Sequence, residues 1–332
     1  MYLPSSMRRV CRSVATVPRP LCDHATKTSG HSVGPLARHR WLCTPVSKNR
    51  PLVPCRQFSS SSTSENTTRD VASKFMSASA YLPHPDKVAT GGEDAHFMSA
   101  CARVVAVADG VGGWRDMGID SGLFSRELVR LAQSYVADSG NTEPYPALVY
   151  AFEHVEALGT STICIVSLIN GRLEACNLGD SGFLVCRKNG VGGVKASTGR
   201  FETVYRTSEQ THFFNCPYQI GTNSNDGPEH ADLVEFAVHP GDIVVIATDG
   251  IFDNLFDADI EEQINNELGG KQYVNLTKDN MQNLANELAI LGQLYGQDKT
   301  RHGPFSKSAK AYGYEFAGGK IDDVTVVVGL VL

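Results

Sequence analysis

The segment Val104-Val105-Ala106-Val107-Ala108-Asp109-Gly110-Val111-Gly112-Gly113 decides the fold and points to the chemistry. Its first five residues are apolar and three of them are β-branched, the composition of a strand buried on both faces. The run stops on an aspartate followed by a glycine-rich turn. A carboxylate at the mouth of an apolar strand is costly unless something pairs with it. The arrangement recurs elsewhere in the chain. Ile243–Thr248 runs into Asp249-Gly250, Lys320-Ile321-Asp322-Asp323 immediately precedes Val324–Leu332, and Gly91-Gly92-Glu93-Asp94 leads into another apolar segment. An isolated Asp-Gly is ordinarily a turn, so the meaning lies in the four together.

No comparable set of Lys or Arg accompanies these carboxylates in the sequence, which makes a bound cation the economical partner. Hard divalent ions take oxygen ligands, keep several waters and need few protein carboxylates. A glycine after each aspartate lets the backbone approach and offer its carbonyl. Two ions sharing one carboxylate would clamp a water, bring its pKa towards neutrality and position it for in-line attack on a phosphate ester. No Cys or Ser sits in a nucleophile motif beside a His, so covalent catalysis has no obvious agent.

Around these segments the pattern predicts strands over Arg103–Ala108, Thr160–Leu168, Arg172–Asn177, Gly182–Arg187, Leu233–Val238, Ile243–Ala247 and Val324–Leu332. Asn170-Gly171 is a tight hairpin signal, and Lys188-Asn189-Gly190 and Pro240-Gly241-Asp242 act similarly. Apolar spacing predicts helices over Ser121–Ala137, Tyr145–Leu158, Asp257–Leu268 and Lys278–Leu294, with Asp257 and Thr277 as expected caps. Strands, two helices, strands, two helices and a last strand do not alternate as βαβ units would. The expected class is α+β, with helices outside antiparallel sheets.

The 332 residues carry a net charge of −6, unevenly spread. Residues 1–64 hold ten basic residues and one acid, a balance of +9, which leaves −15 for residues 65–332. So acidic a body disfavours electrostatic binding of nucleic acid, and with it a metal-dependent nuclease. The apolar runs fall short of the ~20 residues of a spanning helix, so no membrane span is expected. Cys101, Cys164, Cys176, Cys186 and Cys216 show no CxxC pairing and read as free thiols in a reducing compartment. Residues 1–64 are rich in Arg, Ser and Pro, as an organelle presequence is. Met7–Val14 would form a short amphipathic helix, and Arg56-Gln57-Phe58-Ser59 resembles a mitochondrial processing site. The expectation is a disordered mitochondrial presequence over 1–64, a single catalytic domain over 65–332, and residence in the matrix. A plastid address or a basic tail with another partner are the alternatives.

Taken together, Glu93-Asp94-Ala95, Val107–Gly113, Gly159-Thr160-Ser161-Thr162, Asn177–Gly182, Ala247–Asn254 and Asp322-Asp323-Val324-Thr325 resemble, in order, the motifs of the metal-dependent 2C (PPM) family of serine/threonine protein phosphatases. Gly112-Gly113-Trp114-Arg115-Asp116 and Asn177–Gly182 resemble in particular the mitochondrial, T-cell-activation-phosphatase-like branch. The resemblance implies an αββα sandwich of two antiparallel sheets flanked by helix pairs, with two Mn²⁺ or Mg²⁺ ions in a cleft at one edge. It implies that Asp109 bridges the ions, that the Gly110 carbonyl binds one, and that Asp249 and Asp322 bind the other. Glu93 would act through water, Asp94 would orient waters, and Asp180 and Asp253 match a weaker third metal site. Asp109 and Asp249 would be the catalytic pair, and phosphorylated mitochondrial proteins the partners.

The chain also departs from the family. Ala89 stands where many members have the arginine that grips the substrate phosphate, Val111 where many have a histidine proposed as general acid, and Asp323 where an asparagine is usual. Lys87 and Arg115 are the remaining candidates for the phosphate. His154, His212, His230 and His302 are scattered, and nothing in the sequence ties them to the metals. Trp114 reads as a rim or a packing residue. The alternative function is a pseudophosphatase that binds phosphoproteins without turnover, against which the retained Glu93, Asp109, Asp249 and Asp322 argue.

Overall fold

Val105 and Val107 face one way from their strand, and Val104, Ala106 and Ala108 the other, and every one of them is buried. Such a strand needs a layer on each side. A computed structural model describes residues 73–189 and 199–332, and within them the sandwich is complete. The strands are β1 (Phe75–Leu82), β2 (Asp94–Met98), β3 (Val104–Asp109), β4 (Thr160–Ser161), β5 (Ile163–Ile169), β6 (Arg172–Leu178), β7 (Gly182–Lys188), β8 (Phe201–Arg206), β9 (Thr211–Phe213), β10 (Cys216–Pro217), β11 (Ile220–Gly221), β12 (Asp232–Ala237), β13 (Ile243–Ala247) and β14 (Val324–Val331). The helices are α1 (Ser121–Ser139), α2 (Pro144–His154), α3 (Asp249–Phe252), α4 (Asp257–Leu268), α5 (Lys278–Gln297) and α6 (Pro304–Ala311).

One sheet has the order β1-β14-β13-β7-β8 and the other β12-β6-β5-β3-β2, with antiparallel pairing throughout. Three apolar layers follow from the period-two alternation. Between the sheets lie Val105, Val107, Cys164 and Val166 against Phe183, Val185, Val244, Ile246 and Val327. Outside the second sheet, α1 and α2 cover Val104, Ala106, Ala108, Ile163 and Ile165 with Phe124, Leu128, Leu148 and Ala151. Outside the first, α4 and α5 cover Val245, Ala247, Val326 and Val328 with Ile260, Ile264, Leu284 and Leu288. The expected α+β sandwich is therefore the observed architecture. No described helix is long and apolar enough to cross a membrane.

Local signals mostly act as read. Asn170 and Gly171 take φ of 50° and 76°, the double positive φ of a tight hairpin turn, and join β5 to β6. Thr277 caps α5, its hydroxyl accepting from the Asn280 amide at 3.3 Å. Asp257 does not cap α4. Phe256 holds that position and Asp257, one residue inside the helix, pairs with Arg206 instead. The α2 helix stops at His154, four residues short of expectation. The described cysteines form no disulfide, and all are buried except Cys101. The presequence expected over 1–64 and the turn at Gly190 lie outside the described residues.

Candidate metal centre

Antiparallel pairing brings the acidic strand ends to one edge of the sandwich. Asp94 opens β2 and is the register partner of Asp109, which closes β3. Asp249 follows β13, and Asp322 and Asp323 precede β14, where Ala247 pairs with Val326. Asp180 lies between β6 and β7, where Gly182 pairs with Ala247. Six carboxylates from five chain segments thus share one rim. Asp109 feels the charge of Asp249, Asp94, Asp322 and Asp180, which places them in one electrostatic site.

Close backbone approach is needed to assemble it. A Cβ on Gly110 would fall 2.7 Å from the Ser121 carbonyl oxygen and 2.8 Å from that of Glu93. A Cβ on Gly250 would fall 2.0 Å from the Asp323 carbonyl oxygen, so only glycine lets the start of α3 lie against β14. Asp94 is fully buried and accepts from Thr248 Oγ1 at 2.8 Å and Thr325 Oγ1 at 2.7 Å, one hydroxyl from each side of the β13–β14 ladder. Asp323 accepts from the His84 amide at 2.7 Å, the Glu93 amide at 2.9 Å and Lys87 Nζ at 2.9 Å. It ties the loop before β2 to the last strand, and Lys87 balances the charge that the usual asparagine would not carry.

Two lysines change the reading of the site. Lys320 Nζ is ion-paired with Asp249, with Asp253 at 2.7 Å and with Asp322 at 3.4 Å. Lys87 Nζ is paired with Glu93, with Asp323 at 2.9 Å and with Asp322 at 3.4 Å. The expectation that no basic residues accompany the carboxylates is therefore incorrect. Their partners lie two positions before Asp322 and six before Glu93, too dispersed to stand out as a basic cluster. Among the described residues no group of three or more His, Cys, Asp or Glu side chains is already closed around a metal position, and the two ammonium groups hold Glu93, Asp249, Asp253, Asp322 and Asp323 in ion pairs. Lys87, proposed for substrate phosphate, is mostly buried among carboxylates in this arrangement. Arg115 is half exposed, with Nη2 3.7 Å from Glu93 Oε1. Trp114 is pinned by its indole N–H donating to Thr160 Oγ1 at 2.7 Å.

The charge remains incompletely balanced. Asp94 Oδ1, Asp180 Oδ1 and Asp249 Oδ1 are buried with no hydrogen-bond partner. Burial pushes the Asp94, Asp109 and Asp180 carboxyls well above the usual range, reinforced by Asp323 at Asp94 and by Asp249 at the other two. Burial likewise pushes Asp249 up to about 6, against the pull of Lys320. Burial raises Asp253 too, again opposed by Lys320. At Asp322 burial would raise the pKa, but Lys320 and Lys87 hold it below its ordinary value. For Lys320 burial acts downward, and Asp249, Asp253 and Asp322 reverse it, leaving the ammonium firmly protonated. Orphaned oxygens on hard carboxylates, with two cationic groups already drawn in, are the donor set that suits divalent cations. Lys320, Thr248 and Thr325 are the residues the sequence reading gave no role. A lysine two positions before an aspartate, and threonines flanking apolar strand ends, were the available signals.

No family model matches the chain. It is 41% identical over 263 residues to probable protein phosphatase 2C 55 of Arabidopsis thaliana, a match covering 78% of this chain and 52%, about half, of that relative. It is 36% identical over 264 residues to the protein phosphatase PTC7 homolog of Homo sapiens, covering 74% of this chain and 81% of the relative. Among solved structures it resembles the photosystem II phosphatase PBCP, with a TM-score of 0.67 and 29% identity over 78% of this chain and 99% of that one. With the sandwich and the carboxylate rim, these likenesses show that the chain belongs to the protein phosphatase 2C (PPM) family of metal-dependent serine/threonine phosphatases.

Proposed function

We propose that the chain hydrolyses phosphoserine and phosphothreonine esters on proteins of the mitochondrial matrix, using two Mn²⁺ or Mg²⁺ ions. The observation that carries the reading is the rim itself, with buried carboxylate oxygens on Asp94, Asp180 and Asp249 that the protein leaves unpaired. Asp109, the Gly110 carbonyl, Asp249 and Asp322 would hold the two ions, with Glu93 acting through water and Asp180 and Asp253 offering a weaker third position. Such ions would supply charge neutralisation at the phosphoryl oxygens and an activated water as nucleophile.

The chain's own residues do the rest. Thr248 and Thr325 donate to one oxygen of Asp94 and fix its orientation, which leaves Oδ1 free to accept from a water. Lys320 and Lys87 are the cations already within the site and would be the inner candidates for the substrate phosphate. Arg115, half exposed beside Glu93, is the outer candidate. Val111 supplies no proton, so the leaving alkoxide takes one from water. The matrix address rests on the +9 balance of residues 1–64.

The test is hydrolysis of a phosphothreonine peptide across Mn²⁺ concentration, with the full chain and with Asp109→Asn. Turnover should vanish with EDTA, and Asp109→Asn should lower it by at least about a hundredfold, the scale of removing a key transition-state stabiliser. EDTA-resistant activity or a trapped phosphoenzyme would overturn the mechanism. Wild-type protein that binds the peptide without turnover would establish the pseudophosphatase reading instead.

A further inference from the structure

Beside the carboxylate rim lies a small cleft, open to solvent, whose outer part the proposed reaction does not use. Asp180 and Asp253 form its inner end, which places it next to the proposed metal centre. Two elements make its walls. One is the turn between β9 and β10, where Asn215 takes a left-handed φ of 55° and presents Phe214. The other is α6, which supplies Phe305 and, at its C-terminus, Tyr312. The α6 helix is anchored to the rim by the Phe305 amide donating to the Asp253 carbonyl at 2.9 Å.

The chemistry of this cleft is one-sided. Phe214 packs against Phe305 at 5.1 Å, Tyr312 at 5.7 Å and Tyr314 at 5.2 Å between ring centroids. Tyr312 is 56% exposed despite those contacts. Glu209 adds a carboxylate that is half exposed and loosely met by Arg206 at 4.0 Å. Asp180 keeps one buried oxygen without a partner. Among the described residues that line the cleft there is no lysine or arginine, with Lys320 set behind Phe305 and Asp253. At its inner wall the chain shows what such surroundings hold. Lys320 Nζ sits 5.3 Å from the Phe305 ring centroid and 2.7 Å from Asp253, an ammonium between an aromatic face and a carboxylate. The outer part of the cleft repeats that pairing with Phe214, Tyr312 and Glu209, where Arg206 reaches Glu209 only at 4.0 Å.

We propose that this cleft is a specificity subsite that takes a lysine or arginine side chain of the substrate flanking the phosphorylated residue. The aliphatic stem lies along Phe214 and Tyr312, and the charged head meets Glu209. Cation–π and charge contacts of this kind are individually modest, so the expected effect is a preference and not an absolute requirement. The inference rests on the phosphatase reading above.

The experiment measures kcat/KM with Mn²⁺ for phosphothreonine peptides carrying Lys, Ala or Glu at each position within three residues of the phosphothreonine. p-Nitrophenyl phosphate is run alongside. The full chain should favour Lys over Ala by roughly tenfold at one flanking position and disfavour Glu there. Glu209→Gln and Tyr312→Ala should each bring that Lys-to-Ala ratio towards one, chiefly through KM. Turnover of all peptides with a ratio near one at every position, or a ratio that neither variant moves, overturns the subsite and leaves the phosphatase reading standing. Absence of turnover on the peptides and on p-nitrophenyl phosphate alike overturns both.

Discussion

At the scale of single residues, Lys320 is the side chain whose role differs most from a reading of its sequence neighbourhood. A lysine in a glycine-rich approach to a strand is ordinarily solvated, yet Lys320 lies within an ion-pair network of Asp249, Asp253 and Asp322. Removing one member of a buried charge network leaves the others uncompensated, at about 3–5 kcal/mol. Lys320→Met should therefore lower the melting temperature markedly in EDTA. Saturating Mn²⁺ should restore most of the loss, because a divalent ion replaces the missing charge. Thermal unfolding of both proteins with and without metal measures this, and an equal deficit in the two conditions would show that Lys320 stabilises through packing alone. The acids were legible because each ends an apolar strand. Lys320 and Lys87 were not, because a long side chain reaches its partners through space from positions that show no pattern along the chain.

At the scale of elements, the register of the strands does most of the work of assembling the site, and register follows from alternation. Val104–Ala108 and Ile243–Ala247 could be placed to within a residue from composition, since strands buried on both faces leave dense β-branched runs. The strand Phe75–Leu82 escaped that reading because Ser77, Ser79 and Ala80 dilute it. It is an edge strand beside β14 and buries fewer side chains. The short α6, only eight residues long, gave too little periodicity to read, and with it the aromatic wall of the cleft went unseen. The contact of α3 with β14 depends on a glycine. Gly250→Ala would drive a Cβ into the Asp323 backbone, where relief requires moving the strand and not a flexible side-chain tip. The expected cost is about 3 kcal/mol of stability, accompanied by misplacement of Asp249. Urea denaturation and Mn²⁺ titration calorimetry should show both, and a variant with unchanged stability and unchanged metal affinity would contradict the close approach.

At the scale of the whole molecule, two sheets and two helix pairs supply the folding energy, and the rim draws on it. Three separate apolar layers are complete without the carboxylates, so the protein can carry a charged edge that disfavours its own folding. The −15 balance of residues 65–332 adds to that repulsion and draws cations towards the edge, an attraction that salt weakens. Metal binding and stability must then be linked, because the unfolded chain has no preformed site. At a free ion concentration about 100 times the dissociation constant, linkage contributes about 2.7 kcal/mol per site. For a domain of this size that corresponds to a rise of roughly 5–10 °C in melting temperature. Calorimetric scans at rising Mn²⁺ should trace that increase, with a smaller response at high ionic strength. The double variant Asp109→Asn, Asp249→Asn should fold and should lose the Mn²⁺ response, and its melting temperature in EDTA weighs the relief of burial at both carboxyls against the loss of the Asp249–Lys320 ion pair. A double variant that still gained several degrees from Mn²⁺ would place the ions elsewhere on the protein. One that melted well below wild type in EDTA would mean that these carboxylates hold the edge together through their lysines more than they strain it.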